Sequence, residues 1–277
     1  MRSAGLVGTL VIAVLAAQPL SAQGTVLQIR PRAGDTLRMR LDQESEMTGV
    51  RRTAAGQASA MVTSSMRMYS RAIVEGSARE GTTVLAVTDS VVFTTTDEHG
   101  RAAAQLAEER MRGQRVRFHV TPDGTVGISQ DGDGASREVA QVVSLMPAAF
   151  PKTRIAVGER WIREMPLPSG GQFGAQLSGR LRVTFRFDSL THGGEWAFVS
   201  MRGEMRPATG PGSASGTVLE EGFVSGTMLV DQRRGWLTES WFRIVVSSTT
   251  TPPPATGITS MHMQMRITQH MQTVDRR

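Results

Sequence analysis

The stretch RLRVTFRF at residues 180–187 carries the pattern that decides the fold. Leu181, Val183, Phe185 and Phe187 alternate with arginine and threonine. Successive side chains of a β-strand point to opposite faces of the sheet, so this alternation predicts one apolar face and one basic face. Such strands are typical of antiparallel sheets that pack on one side and meet water on the other.

The same two-residue period recurs along most of the chain. Leu37, Met39 and Leu41 alternate with polar residues, and residues 115–120 show the same alternation. Further stretches favour strands at 61–74, 82–95, 196–205, 222–231, 237–247 and 258–274. Several of them exceed ten residues, whereas a usual strand has about five or six, so we expect long and twisted strands.

Two segments carry helical signals instead. Residues 101–112 are rich in helix-forming residues and are followed by Gly113. A second helix is predicted after Ser136, with an apolar face formed by Val139, Val142, Val143 and Met146. The predicted fold class is therefore α+β but mainly β, with long curved antiparallel sheets in two β-rich halves and two short central helices.

The first 22 residues resemble a signal peptide. Arg2 precedes a largely apolar run at residues 5–17, and Pro19 and Ala22 follow it. The run is shorter than the roughly 20 residues that a membrane-spanning helix needs. We therefore expect a periplasmic or secreted protein whose mature form has no transmembrane segment, with an uncleaved N-terminal anchor as the alternative.

Residues 23–277 are interpreted as a single β-rich domain. The alternative is a pair of halves, 23–135 and 150–277, which a helical segment at 136–149 joins. The similarity between the halves lies in their order of strands and is too low in sequence to define a repeat.

Composition excludes several kinds of site. The chain has no cysteine, which excludes thiolate zinc sites, thiol nucleophiles and disulfides. Lys152 is the only lysine, and there is one tyrosine, so few groups deprotonate between neutral pH and the arginine range. The isoelectric point is therefore near 11.1 although the net charge is only +6. That charge is too small to indicate nucleic-acid binding.

Familiar catalytic motifs are missing. No histidine is followed by glutamate as in HExxH, Lys152 follows a proline and forms no P-loop, and Ala214 stands where a nucleophile elbow needs serine. We therefore expect no enzymatic activity, no cofactor and no metal. An enzyme with an unrecognised active site stays an alternative, and His119 beside Arg117 is the first place to look for it.

Methionine is unusually frequent, with 16 residues and few aromatics. Met261, Met263 and Met265 fall on one face of their predicted strand, while His262 and Gln264 fall on the other, so this strand alone does not assemble a Met–His copper site. The methionines either fill a core or line a concave face that accepts acyl chains. In the second case, arginines at the rim would pair with phosphate or carboxylate headgroups.

These observations predict an exported, non-enzymatic binding protein of the cell envelope with a lipid-like or other hydrophobic ligand. The predicted ligand-binding residues are Val139, Val143, Met146, Met261, Met263 and Met265. The alternative is a structural envelope protein without a small-molecule site, which binds a protein partner through exposed sheet edges.

Two segments resemble an uncharacterised family of exported bacterial β-rich proteins. They are RVRFHVTPDGTV at 115–126 and VGERW at 157–161. Family members similarly carry a strand, a P-D-G turn and a strand before a V-G-x-x-W segment. The family has no assigned activity, so it implies no functional residue. The expected curved sheet with short helices is also similar to the periplasmic lipoprotein-carrier half-barrels, which implies a distant analogy of fold.

Overall fold

The computed structural model describes residues 24–128, 150–166, 179–207, 217–251 and 258–274. These ranges contain eleven β-strands and one α-helix, α1 (Arg101–Met111), which lies between the third and fourth strands. The strands are β1 (Thr36–Thr53), β2 (Gly56–Ser77), β3 (Thr82–Thr95), β4 (Arg115–Val120), β5 (Val126–Ile128), β6 (Arg160–Pro166), β7 (Gly179–Thr191), β8 (Trp196–Pro207), β9 (Thr217–Asp231), β10 (Trp236–Thr250) and β11 (Ile258–Thr273).

All eleven strands form one antiparallel sheet in the order β5-β4-β3-β2-β1-β11-β10-β9-β8-β7-β6. Neighbours in sequence are neighbours in the sheet, except that β1 pairs with β11 and that β5 and β6 form the two edges. The strands are long, with 22 residues in β2 and 18 in β1. The mainly β fold with long antiparallel strands and a short helix at 101–112 is confirmed.

One face of this sheet is apolar, and we call it the inner face. Phe185 and Phe187 of β7 are completely buried on this face, whereas Arg182 and Arg186 are exposed on the opposite, outer face. The pairing register continues the inner face from strand to strand: Phe185 lies across from Met201 of β8. The alternation in the sequence therefore predicts the faces correctly.

The sheet is strongly curved. The amide of Ile29 donates to the carbonyl of Pro122 after β4, at 2.9 Å, and the amide of Arg30 donates to the carbonyl of Gly235 before β10, at 2.7 Å. In a flat sheet β4 and β10 would lie five strand spacings apart, about 24 Å. Two consecutive residues reach both turns, so the inner face must curl around a core.

Glycines and bulges permit this curvature. Gly203, Gly222 and Gly226 lie on the inner face of β8 and β9, and a side chain at Gly222 would meet the Cβ of Met205 at 2.7 Å. Register shifts interrupt the pairings of β2 with β3, β7 with β8 and β9 with β10. Bulges and glycines bend and twist strands, so these positions allow the sheet to coil.

Two extended segments, residues 24–30 and residues 150–155, cover part of the inner face, and we call them the covering segments. Leu27 and Ile29 from the first segment, and Phe150 and Ile155 from the second, are buried in the main core cluster. The segments bond to each other through reciprocal main-chain hydrogen bonds between Thr25 and Ile155, at 2.8 and 3.0 Å. Helix α1 adds a smaller cluster, in which Met111 packs beside Met66, Val91 and other residues.

Some predictions fall on residues 1–23 and 129–149, outside the described ranges. They are the signal peptide at 1–22 and the helical segment at 136–149 with Val139, Val143 and Met146. In the described part of the chain, no helix is long and apolar enough to cross a membrane.

Candidate functional site

An apolar cavity of about 100 Å³ lies inside the curl of the sheet. Residues of β1–β5, of β9–β11, of the turn before β5 and of both covering segments form its wall. Four methionines contribute, namely Met39, Met68, Met228 and Met271, together with aromatic residues such as Phe118, Phe150 and Trp236. None of the described wall residues is ionisable. The cavity therefore suits an apolar group.

Strand register brings the wall together. Leu41 of β1 lies between Met68 of β2 and Met271 of β11. Met39, two residues earlier on the same face, lies between Ser70 and Thr273. Strand β9 is not a neighbour of β1 in the sheet. Met228 of β9 reaches the same cavity because the sheet curls. The cavity is thus a product of both pairing and curvature.

The cavity is small but its wall can adapt. A water molecule takes about 30 Å³ of liquid, so the open volume holds the end of an alkyl chain and not a complete lipid. Methionine has three rotatable side-chain bonds and fits irregular spaces. Four such side chains around one cavity can therefore change rotamer to admit more of a chain.

Three buried polar side chains adjoin the cavity. Trp236 is 6% exposed, and its indole Nε1 has no hydrogen-bond partner among the described residues. Gln43 of β1 lies directly across from Gln269 of β11, one inner-face position beyond Leu41 and Met271. The Gln43 Oε1 and both amide atoms of Gln269 are also without partners in the described part of the chain. A buried polar atom without a partner costs about 1–3 kcal/mol, so a bound polar group would be stabilising here.

An open cleft of about 730 Å³ lies at the end of the sheet where β1 and β10 begin and β11 ends. Four arginines line it, Arg32, Arg38, Arg233 and Arg234, and we call it the arginine cleft. Among the described residues of its wall, Asp35 is the acidic one, and its carboxylate accepts a hydrogen bond from the Arg32 main-chain amide at 3.1 Å. The cleft is therefore strongly basic.

Nearby carboxylates partly neutralise the charge of two of these arginines, but not that of the other two. Arg233 forms an ion pair with Glu195, and Arg234 lies 3.7 Å from the Asp231 carboxylate. Within the ranges that the structure describes, Arg32 and Arg38 form no salt bridge. These two guanidinium groups have the greatest capacity to bind an anion from solution.

The cleft and the cavity are lined by neighbouring residues of the same elements. Leu37 lines the cleft and Met39 lines the cavity, at successive inner-face positions of β1. Thr273 and Met271 on β11 repeat this arrangement, and Arg234 and Trp236 lie two residues apart at the start of β10. Three separate elements therefore pass from the basic cleft to the apolar cavity within two residues.

The predicted methionine site lies elsewhere on the same inner face. Met261, Met263 and Met265 are half-buried near the far end of β11, and none of them lines the described cavity. Met265 lies between Met47 of β1 and Val246 of β10. Their shared face agrees with the predicted alternation, and their role in ligand binding stays a prediction. The predicted role of Val139, Val143 and Met146 in ligand binding also stays a prediction, because these residues lie outside the described ranges.

Sequence reasoning did not single out the methionines that do line the cavity. Met39, Met68, Met228 and Met271 each occupy an inner-face position of a strand, so the two-residue period identifies their orientation. Nothing in the period says that four different strands bring them to one place. Only the register and the curl of the sheet supply that information.

The histidines of the predicted strands lie on the outer face. His270 contacts Glu239 at 2.8 Å, and His262 contacts Glu220 at 3.2 Å. Next to His119 on β4, the Arg117 guanidinium hydrogen-bonds Glu75 at 2.7 Å and lowers the pKa of that carboxyl. In the described ranges, no three histidine, aspartate or glutamate side chains come together as a metal site.

The outer face of β1 and β2 carries another small ion-pair network. Arg40 and Arg67 each place a guanidinium Nε 2.7 Å from the Asp42 carboxylate. Partial burial raises the pKa of Asp42, but the hydrogen bonds and charges of the two arginines outweigh it and lower the pKa. This network stabilises the fold and lies across the sheet from the cavity.

Comparison with known proteins gives a fold and no family. No family model matches the chain, and no curated protein matches it. The chain is similar to the structure described as "Lipid-protein interactions in lipovitellin", with a TM-score of 0.51 and 11% identity. The match covers 88% of this chain and 25% of that one, so the chain spans about a quarter of that protein's length. This likeness concerns the fold of the sheet.

Two further structural similarities are weak. A DUF1329 family protein from Desulfovibrio piger matches with 10% identity over 84% of this chain and 85% of that one, at a TM-score of 0.16. A putative outer membrane lipoprotein-sorting protein domain from Vibrio parahaemolyticus matches with 10% identity over 84% and 83%, at a TM-score of 0.12. The analogy to lipoprotein carriers therefore stays distant, because scores this low carry no structural argument.

Proposed function

We propose that this protein is an exported, non-enzymatic binding protein that holds a lipid-like or other hydrophobic molecule against the inner face of its sheet. The apolar cavity, with four methionines and no described ionisable residue in its wall, is the observation that carries this proposal. The fold similarity to lipovitellin supports it, because the description of that structure concerns lipid–protein interactions.

The energetics of the cavity favour an occupant. An unfilled apolar cavity costs about 24 cal/mol per Å³, so a volume of about 100 Å³ corresponds to about 2 kcal/mol. An alkyl chain that enters the cavity recovers contacts with the surrounding side chains. The free energy of binding then comes from filling existing space and from removing the chain from water.

The covering segments provide a route to a larger site. Residues 24–30 are held by main-chain bonds to Ile155, Pro122 and Gly235, and Phe150 donates one main-chain bond to Asp123 at 2.9 Å. These bonds lie outside the ladders of the sheet. A longer alkyl chain can therefore displace part of the covering segments, while the eleven-stranded sheet keeps its strand pairing.

Binding of 1-decanol by the mature protein tests the proposal. Isothermal titration calorimetry should detect saturable binding, and Ala86→Leu should weaken it about tenfold or more, because Ala86 lines the cavity and the larger side chain fills it. Ala58→Leu is the matched control, since Ala58 is exposed on β2. Thermal melts of both variants show whether the fold is retained.

Two results would contradict this function. One is the absence of 1-decanol binding by the wild-type protein. The other is binding that Ala86→Leu leaves unchanged in a folded protein, which would place the ligand elsewhere. Secretion is tested separately by N-terminal sequencing of the protein recovered outside the cytoplasm.

The partner-binding alternative receives less support from the sheet. Its edges are β5, with three residues, and β6, with seven. Short edge strands offer few unpaired main-chain groups to an added strand, but residues 89–95 of β3 also have no partner strand on the side of β4 in the described sheet. The inner face is the stronger candidate for binding because it holds the apolar cavity.

A further inference from the structure

The charge and the position of the ligand's headgroup can be inferred from the residues around the cavity, and this inference rests on the proposed function. We propose that the ligand is an amphiphile with an anionic headgroup, a carboxylate or a phosphate, and that the arginine cleft binds this headgroup while the chain enters the apolar cavity. The two neighbouring spaces have opposite character, and the cavity wall carries one donor, the Trp236 N–H, without a partner among the described residues.

The charges of the cleft select an anion. Arg32 and Arg38 have no acidic partner within the described residues, and Arg233 and Arg234 add two further guanidinium groups, each with one carboxylate nearby. Guanidinium groups bind carboxylate and phosphate oxygens through paired, charge-assisted hydrogen bonds. A neutral headgroup would leave this capacity unused.

The spacing between the two sites fits one molecule. The cleft residues Leu37 and Thr273 each lie one inner-face position from a cavity residue of the same strand, Met39 on β1 and Met271 on β11. Two residues of a β-strand span about 7 Å. A headgroup beside Leu37 and Thr273 would therefore lie about 7 Å along the strands from the cavity residues, a distance that a few methylene groups span.

Trp236 supplies an independent observation at the boundary. This residue lines the cavity, is 6% exposed, and follows the cleft residue Arg234 by two positions. Its indole N–H has no acceptor among the described residues. Indole is a donor only, so the group that would satisfy it must bring an acceptor such as the oxygen that joins a headgroup to its chain.

The arrangement also distinguishes an amphiphile from a free anion. A free phosphate would use the arginines but would leave the neighbouring cavity empty. An apolar molecule would use the cavity but would leave the arginines and the Trp236 N–H unpaired. Only a molecule with both parts uses every feature of the site.

Calorimetry with three probes tests the inference on the mature protein at low ionic strength. The probes are decyl phosphate, 1-decanol and inorganic phosphate. We expect decyl phosphate to bind at least about tenfold more tightly than 1-decanol, since hydrogen bonds to charged groups are stronger than neutral ones. Inorganic phosphate alone should bind much more weakly than decyl phosphate.

Variants locate the effect. Arg32→Gln combined with Arg38→Gln should reduce the preference for decyl phosphate to about twofold or less and leave 1-decanol binding unchanged. The matched control is Arg202→Gln with Arg206→Gln, because these arginines are exposed on the outer face of β8. Trp236→Phe keeps an aromatic side chain, although a smaller one, and removes the donor, and it should weaken decyl phosphate binding about fivefold while 1-decanol binding changes less.

Each contrary outcome has a distinct meaning. Equal affinity of the wild-type protein for decyl phosphate and 1-decanol would refute the headgroup site and leave the proposed function intact. A preference that persists in the Arg32 and Arg38 double variant would refute the assignment of the arginine cleft. Inorganic phosphate that binds as tightly as decyl phosphate would make the cleft a site for free anions. If neither decyl phosphate nor 1-decanol bound to the wild-type protein, the proposed function itself would be refuted.

Discussion

Leu41 and Met271 lie directly across from each other on β1 and β11, and both line the apolar cavity. The two residues come from opposite ends of the sequence. Their strands join the first half of the sheet, β1–β5, to the second half, β6–β11. The same pair therefore joins the two halves of the sheet and lines the cavity, so changes at this position should affect stability and, under the proposed function, binding.

Met271→Ala should destabilise the protein by about 2–5 kcal/mol, because Met271 is 2% exposed and its removal enlarges the cavity. Urea unfolding at pH 7 measures the change in the free energy of unfolding. Met61→Ala is the control, since Met61 is 70% exposed, and its effect should stay within about 0.5 kcal/mol. Equal effects of the two substitutions would show that Met271 is not packed as described.

Gly226→Ala should disrupt the coil of the sheet. A Cβ at this position would collide with the main-chain carbonyl oxygen of Trp241, which cannot rotate away, and would lie 2.7 Å from the Cε of Met201. The expected loss is about 1–3 kcal/mol or more, seen as a lower melting temperature. Gly49→Ala is the matched control in β1, because no atom lies within 4 Å of its added Cβ. A neutral Gly226→Ala would contradict the close approach of the strands.

Acidification should weaken the Asp42 network. Arg40 and Arg67 hold the pKa of Asp42 below its ordinary value of 3.8 in the folded protein. At a pH between the folded and the unfolded pKa, the unfolded chain binds more protons at Asp42 than the folded protein does. The contribution of the Asp42 network to the free energy of unfolding is therefore complete above the unfolded pKa, and it is lost as the pH falls through the folded pKa. Melting temperatures between pH 7 and pH 2.5 should therefore fall less steeply with acid in Asp42→Asn than in the wild type.

Asp188→Asn provides the comparison for this pH profile, since Asp188 has a longer contact, 3.7 Å, with Arg186. Its melting curve should retain the acid dependence that Asp42 causes. Parallel profiles of Asp42→Asn and the wild type would contradict the pKa shift.

Gln269→Met should stabilise the unliganded protein. Both amide atoms of Gln269 are buried without partners in the described part of the chain, next to Phe242 and Ile267 on the apolar inner face. Replacing the amide by a thioether of similar length removes its desolvation penalty, which is about 1–3 kcal/mol. Gln264→Met, on the exposed face of the same strand, should change little. A loss of stability in Gln269→Met would mean that the amide has a partner in solution.

The sequence by its local pattern predicts most of the strands, their two faces and helix α1, but it does not predict β6. Side chains alternate across a strand with a period of two whatever the strand pairs with, so Leu181 and Phe185 indicate the buried face by themselves. Helix α1 is likewise a matter of local propensity over residues 101–112. The shared face of Met261, Met263 and Met265 follows from the same local rule.

Tertiary contacts set the positions of the cavity and the arginine cleft. The pairing of β1 with β11 depends on contacts between the two ends of the chain, and a local period carries no information about which strands pair or in which register. Register and curvature bring Met39, Met68, Met228 and Met271 to one cavity, and they place the arginine cleft beside it. The two-residue period defines the inner face, but the position of the site along that face is a property of the assembled sheet.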